Sequence, residues 1–154
     1  MMKLWKQWPD SSCPQCGAPV EDAAHVWQCK EEQALEVWDK SIEALRLWLM
    51  DQQTQPGIQE AICNGLRAWK YGTEHPPVAS HFAQLQEAIH LQDQIGWQAL
   101  LEGCLSLEWQ GVQQHYYLWM GICKTGRHWL SSLIKKLWEI AWDQWDHRNG
   151  YVHV

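Results

Sequence analysis

From Glu31 to about Gln53 the apolar positions Leu35, Trp38, Ile42, Leu45 and Leu49 recur at alternating steps of three and four, the period of an amphipathic helix. Gln53-Thr54-Gln55-Pro56-Gly57 breaks that pattern, and a proline is tolerated in the first turn of a following helix. That second helix presents Ile58, Ile62, Leu66 and Trp69 on one side. The short turn predicts an antiparallel pair. Tyr71-Gly72-Thr73-Glu74-His75-Pro76-Pro77 reads as a loop, because consecutive prolines remove donors and restrict the residue before them. A third helix is expected from Ser80, acting as N-cap, with Phe82, Leu85 and Ile89 facing inward. Two more are expected, one through Trp97, Leu100, Leu101 and Cys104, the other through Trp109, Val112, Tyr116 and Trp119. Gly96, Gly103, Gly111 and Gly121 weaken the interiors of these stretches.

The last helix, from Gly126 to about Arg148, has a different pattern. At about 100° per residue, Ser132, Lys135, Lys136, Glu139, Asp143 and Asp146 share an arc of about 100°. Apolar residues, among them Trp129, Leu133, Leu137, Trp138, Ile140, Trp142 and Trp145, fill most of the remainder. Such a helix belongs near the centre of a bundle, and Asn149-Gly150 is the signal expected to end it.

Composition adds one unusual fact: 13 Trp accompany one Phe and four Tyr among 154 residues. Each indole carries an N–H that needs an acceptor, so many of these rings should sit at the edge of the core. The net charge of −6 argues against dense, nonspecific nucleic-acid binding. Only the segment from Lys124 onward is locally basic, with five Lys and Arg against three acidic residues. No apolar run approaches the ~18 residues of a membrane span, and Met1 to Asp10 lacks the apolar core of a secretory signal. No membrane association and an intracellular location, cytoplasm or nucleus, are therefore expected.

Three of the six cysteines cluster with a histidine. Cys13-Pro14-Gln15-Cys16-Gly17 places two thiolates on a tight turn, and His25 and Cys29 follow at an i, i+4 step that puts both on one helical face. Three thiolates and one imidazole close a tetrahedral zinc shell, and a shell without a vacancy is structural, not catalytic. The expected fold is therefore all-α: a Trp-rich multi-helix bundle over residues 31–154 behind an N-terminal CCHC-type zinc knuckle over residues 1–30. Cys63, Cys104 and Cys123 read as buried small residues. Asp143 and His147, at i, i+4 with Asp146 alongside, read as a solvated helix end, and His81, His90, His115 and His128 share no ligand spacing. No P-loop, dinucleotide fingerprint or nucleophile elbow occurs, and a non-enzymatic role is expected.

At Cys13-Pro14-Gln15-Cys16-Gly17, Glu21-Asp22, His25-Val26 and Cys29 the chain resembles the zinc-binding segment downstream of the polymerase in non-LTR retrotransposon reverse transcriptases. A second set of residues is similar to the Trp-rich tail of reverse-transcriptase-related proteins of algal, diatom-like type. This set comprises Gly96-Trp97, Tyr116-Tyr117, Thr125-Gly126-Arg127-His128-Trp129, Lys136-Leu137-Trp138 and the run from Ala141 to Asn149. The resemblance implies an accessory region that helps position RNA or DNA, without polymerisation, since the Tyr-x-Asp-Asp motif is missing from the chain. Two readings stand side by side. In one, Lys124, Arg127, Lys135, Lys136 and Arg148 contact phosphates while Trp rings stack. In the other, the bundle is a protein-interaction or structural module whose charges are merely solvated.

Overall fold

The computed structural model describes residues 32–74 and 82–152, with residues 148–152 described by their backbone alone. Every regular element among them is a helix: α1 (Glu32–Asp51), α2 (Pro56–Tyr71), α3 (Ala83–Ile95), α4 (Trp97–Leu101), α5 (Glu108–Met120) and α6 (Gly126–Val152). The all-helical class follows the periodicity. The expected zinc ligands Cys13, Cys16, His25 and Cys29, with the whole 1–30 segment, and the expected N-cap Ser80 lie outside the described residues.

The α1 and α2 stripes behave as their spacing requires except at their ends, where Leu35 and Trp69 are only half-buried and Ala34 is buried next to Leu35. Trp38, Ile42, Leu45 and Leu49 are fully buried against Ile58, Ile62 and Leu66, each contributing roughly 1.5–3 kcal/mol through area removed from water. The turn between the two helices is tight and contains Gln53 at φ 56°, a left-handed value unusual for a residue with a side chain. Two local bonds set it, from the Gln53 N–H to the Met50 carbonyl and from the Thr54 N–H to the Leu49 carbonyl, both at 3.0 Å, and groups from distant helices fasten the turn. Gln113 Nε2 donates to the Gln53 carbonyl at 3.0 Å, and Gln113 Oε1 accepts the Gln55 N–H at 2.9 Å. Tyr117 donates to the Gln52 carbonyl at 2.7 Å, and the Trp129 indole N–H reaches Thr54 Oγ1 at 2.9 Å. Gln55 also caps α2 by accepting the Ile58 N–H, so Pro56 begins the helix where its missing donor costs nothing.

The α3–α5 region departs from the periodic reading in three places. Helix α3 begins at Ala83 with Phe82 at its N-cap, and Phe82 is exposed instead of facing inward. Helix α4 lasts only five residues and ends at Leu101, before Cys104. Gly103, at φ 92°, turns the chain out of helical geometry there. Helix α5 buries Trp109, Val112, Gln113 and Tyr117, one position away from the expected Tyr116, and leaves Trp119 83% exposed. Tyr117 is chosen because its hydroxyl finds the Gln52 carbonyl, whereas Trp119, ten residues after Trp109, rotates off the inner face.

A buried glutamine joins these three helices. Gln92, at 0% exposure, donates to the carbonyls of Gly96 (3.1 Å) and Cys104 (3.2 Å). Its Oε1 accepts the Ser106 N–H (3.0 Å) and the Trp109 indole N–H (3.1 Å). All four of its hydrogen-bonding sites are used, which permits a primary amide to sit in the core.

Helix α6 packs on α1, α5 and α4, the central position expected of it. It starts directly on α5: the Gly126 N–H donates to Gln114 Oε1 at 2.7 Å, and a methyl on Gly126 would come within 2.5 Å of the Gln110 carbonyl oxygen. Thr125 caps it through its Oγ1, which accepts the His128 N–H at 3.2 Å. Two expectations fail. The helix runs through Asn149-Gly150 to Val152, and its apolar face is narrower than the wheel suggested, because Trp138 and Trp142 are half exposed. Cys63 is buried as expected, whereas Cys104 and Cys123 are exposed on the loops flanking α5. Both lie where the helices break, outside the stripes that face the core.

Candidate nucleic-acid interface on helix α6

The exposed side of α6 carries Arg127, Ser131, Lys135, Trp138 and Trp142. Their steps of four, four, three and four place them within about 80° on a helix of 3.6 residues per turn, along about 22 Å of its axis. Trp138 is 54% and Trp142 50% exposed, a large apolar investment at a surface. Lys124 is exposed in the loop that leads into this stripe.

The acidic neighbours are drawn elsewhere. Glu139 accepts from Lys136 Nζ at 3.1 Å, and Lys136 is the more buried partner, at 23% side-chain exposure against 66% for Glu139. Asp143 accepts from Ser41 Oγ of α1 at 3.2 Å. Lys136 is thus paired along the flank of the stripe, and of the five basic residues expected at an interface the structure brings Arg127 and Lys135 onto one line, with Lys124 at its end. Arg148 lies where only the backbone is described. Asp146 is exposed one turn beyond Trp142, a modest opposing charge at that end of the stripe.

The two indoles are held from behind. Trp138 lies against the turn after α4: a methyl on Gly103 would come within 3.2 Å of its Nε1 and 3.4 Å of Ile134 Cγ2. Trp142 rests on Trp145, with ring centroids 5.1 Å apart and planes inclined by 33°. The wheel missed this arrangement because it counts Trp as buried; the signal available in the sequence was the i, i+4 pairing of Trp138 with Trp142 next to Lys135 on the polar border.

Other groups show how the rest of the surface differs. Arg46 pairs with Glu43 on exposed α1, where its hydrogen bond holds the Glu43 carboxyl below its usual range. Burial raises the Cys63 thiol to about 11, which makes it a poor nucleophile. Lys70 is buried, with Nζ 5.1 Å from the Trp38 ring centroid, a cation–π contact inside the bundle. Asp143 and His147 gather no third ligand: among the described residues no group of three or more His, Cys, Asp or Glu converges as a metal site. Among them too, no helix is long and apolar enough to cross a membrane.

No protein-family model matches the chain, and neither a curated protein nor a solved structure is significantly similar to it.

Proposed function

We propose that this chain is a non-enzymatic, zinc-binding helical module that contacts nucleic acid through the exposed face of α6, as an accessory region of a retroelement protein would. The observation that carries the reading is the α6 stripe. Lys135 is exposed beside two large aromatic rings, with Arg127 about two turns further along the same line, while Glu139 and Asp143 are engaged by Lys136 and Ser41. Cations on phosphates and rings on bases are the two elements of strand binding. Zinc held by Cys13, Cys16, His25 and Cys29 orders the segment preceding α1 and, with three thiolates, contributes a local charge of about −1. Phosphate contact is therefore assigned to α6 and not to the metal segment.

The second reading, a protein-interaction module, draws on a different surface. Leu118, Trp119 and Met120 are all exposed at the end of α5, and an exposed Trp among apolar neighbours is a typical interface anchor.

Two measurements test the proposal. Protein purified under reducing conditions should contain one zinc per chain by elemental analysis, and Cys16→Ser should lose the metal while keeping most of the helical circular-dichroism signal, because the helical core lies elsewhere. Metal-free wild-type protein would remove the zinc assignment. Affinity for RNA or DNA should fall with salt at a slope of about two to three phosphate contacts, those of Lys124, Arg127 and Lys135, and Lys135→Glu should reduce it strongly without unfolding the bundle. Absence of binding to single strands and duplex at low salt would leave the α5 surface and a protein partner as the better reading.

A further inference from the structure

The nucleic-acid reading leaves open whether the ligand is paired or unpaired, and the two exposed indoles bear on that choice. Trp138 and Trp142 are one helical turn apart, about 6 Å along the axis, which exceeds the ~3.4 Å between bases stacked in one strand of a duplex. Both rings are half exposed and each has a close neighbour, the Gly103 turn beside the Nε1 edge of Trp138 and the Trp145 ring beside Trp142. A ring supported in this way loses little freedom when a base lands on it. Gly103 is suited to this support, because its φ of 92° and missing Cβ let the Trp138 ring lie close to the backbone.

We infer that Trp138 and Trp142 form a two-step stacking shelf for successive unpaired bases, flanked by Lys135 and Arg127 on phosphates, so that α6 selects single-stranded over duplex nucleic acid. The inference rests on the nucleic-acid reading and adds the strandedness of the ligand. In a duplex the faces of the bases are already covered by their neighbours, and the indoles gain nothing from it. The cations remain, and duplex binding reduces to a weak, salt-sensitive attraction through few contacts. In an extended single strand both terms operate. Every base has a π-face, so the shelf tolerates any sequence. Lys135, three residues before Trp138 and seven before Trp142, lies on the same side as both rings and is placed to meet the backbone linking two stacked bases.

The test is fluorescence anisotropy of the full chain with a short labelled oligouridylate, and with the same strand paired to its complement. Wild-type protein should bind the single strand more tightly than the duplex. Trp138→Ala and Trp142→Ala should each weaken single-strand binding by about 5- to 150-fold, the range for loss of one base–aromatic stack, and leave duplex binding unchanged. Both rings are half exposed, and retained helical circular dichroism establishes that the variants fold. Lys135→Glu should weaken both ligands together. Salt-sensitive binding that the double tryptophan variant does not alter, or equal affinity for the two ligands, would overturn the shelf and leave the nucleic-acid reading standing. No binding of either ligand by the wild-type chain would overturn both.

Discussion

Gln92→Leu is expected to destabilise the protein by about 3–5 kcal/mol, although it keeps the volume of the side chain almost unchanged. The amide is fully buried and satisfies four backbone or indole groups. Its loss does not orphan all four, because the Gly96 carbonyl also accepts from the Leu100 N–H at 3.3 Å. The Ser106 N–H and the Trp109 indole N–H lose the acceptor they share, and each buried donor left unmade costs about 1–3 kcal/mol. Urea unfolding followed at two wavelengths measures the change. Gln92→Glu separates the contributions: it keeps the acceptor for both donors but sets a carboxylate against the Gly96 and Cys104 carbonyls, so it should fold no better than the Leu variant. A loss below about 1 kcal/mol for Gln92→Leu would mean that water takes the place of the amide.

Leu137→Ala is expected to cost about 2–5 kcal/mol as a buried large-to-small change. Leu137 is 0% exposed in the core cluster, on the helix that packs against α1, α5 and α4. A cavity there is shared by several helices, which limits how far any one of them can collapse into it. Trp142→Ala on the same helix makes the natural control, since its ring is half exposed and its removal should cost much less. Chemical denaturation of both variants, read as midpoint shifts at constant slope, compares them directly.

The two leading helices were legible because most of the large side chains they bury are Ile and Leu at helical spacing, even though Ser41, Cys63 and Lys70 are buried among them. Helix α6 was legible in position but not in rotation. Tryptophan joins a large apolar body to a polar edge, so a wheel that scores it as core widens the inner face by the two rings that turn outward. The Tyr116-Tyr117 pair was undecidable by period alone; a hydroxyl acceptor 65 residues away made the choice. Gln92 and Gln113 were invisible for the opposite reason, since a glutamine in a helix ordinarily reads as surface. On the exposed face of α6, the candidate charges could be named from sequence, but the pairing of Lys136 with Glu139 and the neighbours of each indole depend on rotamers and neighbouring elements. The metal-binding expectation at Cys13, Cys16, His25 and Cys29 rests on ligand spacing and falls outside the described residues.

The α1–α2 turn gives the molecule an order of assembly. The two helices are neighbours in sequence and can meet within microseconds, yet the groups that fasten their turn arrive from residues 58 to 75 positions later. The left-handed Gln53 is set locally, by its own N–H on the Met50 carbonyl and the Thr54 N–H on the Leu49 carbonyl, both at 3.0 Å, a helix-ending pair of bonds, whereas the side-chain bonds from α5 and α6 wait for docking. The hairpin can thus form early with its turn already bent, while the bonds that fasten it to the rest of the bundle are long-range contacts of the kind that form late. The Gln55 amide records this event: its hydrogen bond runs to a side chain of α5 at 2.9 Å and not to a carbonyl of its own helix, so its exchange with solvent follows the separation of α5 from the hairpin and not the fraying of α2.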